Sequence, residues 1–352
     1  MAVPELLRRL LTTPGPSGYE AAAAAAWREA AAEFAEVSAD AMGSSVARVR
    51  GTSDGPLLVL LGHIDEIGLI VTHVDDQGFL YFRGVGGWQP EVLLGQRVEL
   101  LGRDGPVPGV VGRKARRPIK PGEEPPRLEL EHLHLDIGAR DRDDALGLVR
   151  LGDAAVIAGE PLELPNGRLA SRALDNRLGA YIALEAARRV AEAGGAQGDV
   201  AAVAAVQEEV GDYGGARTSV FALQPKLALA IDVTIATDVP EGDPKLYGEL
   251  KLGGGPVLNR GSTINPRVFE LLVEAAEAEG IKYAVSVSVG ETHTDMDAAY
   301  VSRAGIATGL VSIPTRYIHT PTELVALGDV EAAIRLVAAF AQRLEPGLDF
   351  TR

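Results

Sequence analysis

Cysteine is absent from the chain, which excludes disulfides, thiolate nucleophiles and Cys-ligated zinc together. Any metal site must therefore use His, Asp and Glu. Basic charge is also scarce, with 34 Lys and Arg against 49 Asp and Glu and a net charge of −15. Nucleic acid and anionic lipid both need clustered positive charge, so neither is expected as a partner. No apolar run approaches the roughly 20 residues of a membrane span. The amino-terminal stretch MAVPELLRRLLTTPGPSGYE has only short apolar pairs broken by Arg8 and Arg9, with no signal-peptide core, so a cytoplasmic protein is expected. What the chain does have is length and apolar content. Its 352 residues, 46% apolar, suffice for a real core in one large domain or two smaller ones, and exclude a disordered chain.

The pattern along the chain alternates buried strands with long helices. Residues 20–37 are Ala-rich, with Trp27, Phe34 and Val37 at helical spacing, and predict a helix. PLLVLLG at 56–62 is an unbroken apolar run, the signature of a strand covered on both faces. Helices over 178–195, 214–224, 265–280 and 329–344 then alternate with strands over 200–206, 227–233, 282–290 and 306–313. That beat predicts an α/β layer fold with a largely parallel sheet. Residues 68–160 break it. Short segments divided by Gly, Pro and Asp predict an inserted small β domain with one helix near 141–150, leaving 1–67 and 161–352 as the main domain. Within the insertion, the Pro-rich, charged stretch 114–126 predicts an exposed, mobile loop.

In an open α/β sheet, ligands bind beyond the carboxyl ends of the strands. The residues that follow each apolar run are therefore the candidates for chemistry. These are His63 and Asp65 after the first run, Glu208 and Glu209 after the second, Asp232 within the third, and His319 after the last. Asp175 stands just before a helix and could act simply as its cap. Asp232 has no such ready explanation, because a buried carboxylate without a partner is costly. Divalent cations would compensate all of these groups at once. Asp175, Glu209 and Asp232 bring three negative charges and His63 and His319 none, so two divalent ions leave one positive charge, which suits a bound hydroxide. Oxygen and imidazole donors without thiolate suit zinc, cobalt or manganese. Glu208, not needed as a ligand, is then free to be a general base. Asp65, two residues from His63 on an extended segment, can accept the imidazole N–H and fix its tautomer.

The same residues carry a resemblance. PGPSGYE (14–20), GHIDEIG (62–68), LDIGA (135–139), RALDNRLG (172–179), QEEVG (207–211), AIDVT (230–234), GGGPVLNRG (253–261) and SIPTRYIHTP (312–321) resemble, in order, the M42 family of dinuclear metal aminopeptidases, the glutamyl and tetrahedral aminopeptidase group. The resemblance implies a zinc-peptidase-like mixed sheet with helices on both faces. It also implies cleavage of the amino-terminal residue from short peptides with a free amino terminus, using two divalent ions, Zn2+ or Co2+ or alternatively Mn2+. It assigns His63 and Asp232 to one ion, Glu209 and His319 to the other, Asp175 to both, Glu208 to the catalytic base and Asp65 to the support of His63. The insertion becomes a lid or oligomerisation domain, and the protein a homo-oligomer, a dimer building up to a tetrahedral dodecamer.

One segment departs from the family pattern. In ETHTDMD (291–297), His293 and Met296 stand where relatives usually have Gly and a small residue, and a local packing role is expected for His293. Two rival functions share features of the site. A related di-metal deacylase or carboxypeptidase would need an Arg for a substrate carboxylate, with Arg260 and Arg316 as candidates. A glycosidase would need two carboxylates and no metal.

Overall fold

The computed structural model describes residues 2–114 and 127–352. By internal contacts the chain divides into two units, one made of Met1–Glu66, Pro161–Ile318 and Thr322–Arg352, the other of Ile67–Glu160 with His319–Pro321. The stretch expected to be a mobile loop lies, apart from Lys114, outside the described residues.

In the first unit the apolar runs form one eight-stranded sheet. Its order is Glu36–Ala39, Ser45–Val49, Val200–Ala205, Leu58–His63, Leu227–Ile235, Ala307–Thr315, Val257–Gly261, Ala284–Ser288. The central pairings, from Val200–Ala205 across to Ala307–Thr315, are parallel, and antiparallel pairs flank them, so the sheet is mixed. Alternate residues of the central strands enter different apolar layers. Leu58, Leu60, Leu227 and Leu229 pack with the long helices Leu174–Glu192, Pro266–Ala278 and Leu327–Gln342. Val59, Leu61, Ala228 and Ala230 pack with the shorter helices Gly214–Leu223 and Met296–Ala299. Two buried faces explain why these strands read as continuous apolar runs with no polar alternation.

The expected helix over 20–37 is shorter in the structure, ending at Ala31. Glu36–Ala39 is instead an edge strand, with Val37 opposite Ala47. The cause is a turn signal just beyond it. The Asp40 carboxylate accepts hydrogen bonds from the backbone N–H groups of Met42, Gly43 and Ser44, and Gly43 has φ 106°, so the chain reverses into a hairpin. A three-stranded sheet of Leu162–Leu164, Arg168–Ser171 and Glu323–Ala326, absent from the sequence-based expectation, completes this unit.

The second unit is a closed six-stranded barrel, in the order Gly68–Val74, Leu80–Val85, Leu133–Asp136, Gly105–Arg113, Arg97–Gly102, Ala154–Ile157. Leu69, Val71, Leu80, Val98, Leu100, Val111 and Leu135 fill its core. The longer of its helices, Arg142–Leu148, is capped by the Asp141 carboxylate accepting from the Asp144 N–H at 2.9 Å.

Candidate metal centre

Register places the candidate residues at one end of the large sheet. His63 ends its strand opposite Ala205, and Glu208 and Glu209 follow as that neighbouring strand leaves the sheet. On the other side Ala230 pairs with Leu61, which sets Asp232 level with His63. Asp175 arrives from the irregular first turn of Leu174–Glu192, where Asp175 and Asn176 have non-helical backbone and the peptide between them is cis.

Two glycines set how closely that helix approaches the strands. A Cβ on Gly62 would stand 2.2 Å from the Gly179 carbonyl carbon, and one on Gly179 would stand 2.1 Å from the Ile231 carbonyl oxygen. Only hydrogen at both positions allows this spacing. The Asn176 amide spans the contact, donating to the Ile231 oxygen at 2.8 Å and accepting from the Gly179 N–H at 2.8 Å.

The result is a buried cluster. His63 Nε2 lies 3.3 Å from Asp175 Oδ1, 3.8 Å from Glu208 Oε2 and 4.0 Å from Asp232 Oδ1, while Nδ1 lies 3.4 Å from Asp65 Oδ1. Among the described residues, His63, Asp175 and Glu209 form one set, and His63, Glu208 and Asp232 another, whose donor atoms all lie within 4.8 Å of one another. Imidazole and carboxylate donors at this spacing fit a divalent cation such as zinc, cobalt or manganese. His319 belongs to the second unit, with its ring against Gly87, and the two sets close without it.

Asp65 ties the cluster together. It accepts from Ser17 Oγ at 2.6 Å and from the backbone N–H groups of Glu208 and Glu209, each at 3.1 Å. Burial alone would raise its pKa, yet His63, Ser17 and the Glu209 N–H hold it below the usual value. Glu66, next in sequence, pairs with Arg172 and with fully buried Arg177, which also donates to the carbonyls of Leu10 and Thr13. Glu20 accepts from the N–H groups of Gly18 and Gln207. The motif PGPSGYE is thus a clamp on both the His63 and the Glu208 segments, a role the sequence did not reveal.

Gathered acids distort one another's ionisation. Burial, with Asp232, Asp295 and Glu209 nearby, pushes Glu208 up to about 10 despite the opposing charge of His63. Burial, with Asp175 and Asp295 adding to it, also holds Asp232 well above its usual value. His63 rises well above 6.5. Burial opposes that rise, but the Glu208 charge and the contacts with Asp175 and Asp65 outweigh it. Such groups would share protons among themselves, and a bound cation would take the place of those protons.

A family model of the M42 glutamyl aminopeptidases matches residues 43–336. The chain belongs to that family. This M42 aminopeptidase, a metal-dependent exopeptidase by that membership, is 34% identical to a lysyl aminopeptidase of Pyrococcus furiosus, over 99% of each chain. A TET aminopeptidase from a marine sediment archaeon of the Thaumarchaeota superposes with a TM-score of 0.91 at 35% identity, covering 97% of this chain and 96% of that one. The TET1 peptidase of Pyrococcus horikoshii, which can assemble into a tetrahedron or a large octahedral shell, gives 0.84 at 30% identity, covering 97% and 99%.

Elsewhere in the M42 aminopeptidase, the Arg candidates for a substrate carboxylate are engaged or outward-facing. Arg316 donates to both Asp238 oxygens, at 3.1 and 2.7 Å, and Arg260 is exposed and stacked on Phe269. His293 does not pack as expected. It is exposed with φ 55°, and its backbone N–H donates to Asp297 Oδ2 at 2.7 Å, while Met296 is fully buried. Nor did the sequence single out Asp295, which lies between them. It is buried, and its pKa is pushed up to about 7 by burial and by the charge of Asp65, against the pull of His63.

Proposed function

We propose that this M42 aminopeptidase removes the amino-terminal residue from short peptides, with two divalent cations held by His63, Asp175, Glu209, Asp232 and His319. The observation that carries the proposal is the meeting of an imidazole and four carboxylates in two overlapping sets at one buried sheet end. For His319 the support is the motif SIPTRYIHTP alone. Zn2+, Co2+ or Mn2+ bound there would supply Lewis-acid polarisation of the scissile carbonyl and acidify water to near neutrality.

The chain's own groups do the rest. Glu208 takes a proton from the attacking water as its oxygen bonds to the carbonyl carbon. The same carboxyl returns that proton to the leaving amine as the C–N bond breaks. Asp65 holds the His63 ring and, through two backbone N–H groups, aims the Glu208–Glu209 segment. The sheet with helices on both faces is read as the zinc-peptidase type. The assemblies of the Pyrococcus horikoshii relative support a homo-oligomer here, a dimer building up to a tetrahedral dodecamer, with the barrel as lid or oligomerisation domain. Among the described residues no helix is long and apolar enough to cross a membrane, in keeping with a cytoplasmic enzyme.

Reporters with free and acetylated amino termini, given to chelated and then zinc- or cobalt-restored enzyme, test the proposal. Activity returning with metal on free termini alone is expected. Glu208→Gln should lower kcat by about 10²–10⁴ with the metal content intact. Activity on acetylated reporters alone would make the protein a deacylase, activity that survives chelation would remove the metal from the mechanism, and near-normal rates in Glu208→Gln would exclude it as the base.

A further inference from the structure

The segment 291–297 carries two aspartates with opposite circumstances. Asp297 is fully used within the loop, accepting from the Thr292 and His293 N–H groups and from Thr292 Oγ1. Asp295 is only 2% exposed, and neither of its carboxylate oxygens has a hydrogen-bond donor. A buried carboxylate without a donor loses its hydration and gains nothing in return, so its presence calls for a positively charged partner from outside the chain.

Position narrows the choice of partner. Asp295 leads into the short helix Met296–Ala299, whose Met296, Ala298 and Ala299 pack in the same layer as Val59, Leu61, Ala228 and Ala230. That is the sheet face on which strand alternation places His63 and Asp232. Its charge is felt by both Glu208 and Asp232, so it borders the proposed reaction centre. It nevertheless falls outside both ligand sets, which argues against a metal ion as its partner. Within the chain, the positive charge that reaches Asp295 is that of His63, which both ligand sets already use, and the buried guanidinium groups of Arg172 and Arg177 are engaged with Glu66 and backbone carbonyls. What remains is a cation brought by the substrate, within reach of the centre but not part of it. A peptide with a free amino terminus carries such a cation, and an acylated one does not.

We propose that Asp295 receives the α-ammonium group of the substrate and so selects free amino termini over blocked ones. This assignment rests on the aminopeptidase reading and adds the residue that enforces it. The contact is a charge-assisted hydrogen bond inside a buried site, one of the stronger single interactions a pocket can offer.

The test is binding, read by calorimetry with three amides, to zinc-loaded enzyme that carries Glu208→Gln so that the amides are bound and not cleaved. Leucinamide has the α-amine, 4-methylpentanamide lacks it, and 6-aminohexanamide carries its ammonium only at the far end. With Asp295 intact, this enzyme should bind leucinamide about tenfold or more tighter than 4-methylpentanamide. Adding Asp295→Asn should bring that ratio to near one while leaving zinc content and 4-methylpentanamide affinity unchanged. Its Tm should equal or exceed that of wild type, because an unpaired buried charge has gone; a carboxylate with a structural role would give a lower Tm. Asp295→Ser carries the same comparison should the Asn variant not fold. A ratio that persists after Asp295→Asn, no preference with Asp295 intact, or a loss confined to 6-aminohexanamide would each overturn the proposal. The aminopeptidase reading fails separately, if wild type cleaves acetylated reporters and not free ones.

Discussion

Replacing Gly62 with Ala should damage the metal centre more than the fold. The new Cβ would sit 2.2 Å from the Gly179 carbonyl carbon, where ordinary contact begins at 3.4 Å, so the helix start must retreat by about 1.2 Å. Overpacking of this kind costs ~1–3 kcal/mol, which a domain with this much buried core survives. Metal sites are less forgiving, since ligand distances hold to within ~0.2 Å. Asp175 is carried on the helix start that must move, and His63 is the residue after the substitution. Gly62→Ala should therefore fold with a lowered Tm and bind zinc at least ~10-fold more weakly, the scale seen when a ligand's support is disturbed. Competition against a fluorescent chelator measures the affinity, and denaturant titration measures the stability. Wild-type zinc affinity beside a reduced stability would refute the argument that helix–strand spacing sets the site.

Two further predictions concern stability. Arg177→Met leaves the buried Glu66 carboxylate with Arg172 as its one remaining ion-pair partner beside the Gly15 N–H, and strips donors from the Leu10 and Thr13 carbonyls, so a loss of ~3–5 kcal/mol is expected by urea unfolding, and a change under ~1 kcal/mol would contradict it. For the metal-free protein, the raised values of Glu208 and His63 mean that the folded state keeps protons the unfolded chain has released. Their contribution is complete below the unfolded values of 4.5 and 6.5 and is lost as pH rises toward about 10 for Glu208. Tm of chelated protein should thus fall between pH 6 and pH 9 (a window on the order of the shifts themselves), and added zinc should remove the trend. A metal-free Tm that rises with pH would show that these groups are not proton-loaded.

The meeting of His63, Glu208, Glu209 and Asp232 in a candidate centre was legible because chemistry concentrates polar residues at strand ends. His63, Glu208, Glu209 and Asp232 each interrupt or follow an apolar run, and a charge there has no structural reason to exist. Supporting residues were harder to see. Ser17 and Glu20 act through single contacts to Asp65 and to the Gln207 N–H, and nothing local in sequence names those partners. Asp295 looked like one acid among several, because a missing donor is a property of the folded surroundings. The hairpin over Glu36–Val49 was hidden by the high helix propensity of the Ala-rich stretch before it, which the Asp40–Gly43 turn ends. Closure of the barrel depends on pairings such as Gly68–Val74 with Ala154–Ile157, whose partners lie far apart in sequence.

The clamp around Asp65 has a consequence for how the enzyme is made. Asp65 and Glu208 are 143 residues apart, and Glu20 reaches a partner 187 residues away. Contacts of such range are among the last a folding chain closes. A growing polypeptide that has emerged only as far as its first buried strand holds His63 but none of the acids that would share a metal with it. With the centre proposed here, hydrolytic competence arrives all at once and late, and a half-made peptidase has no working centre to turn on the peptides around it.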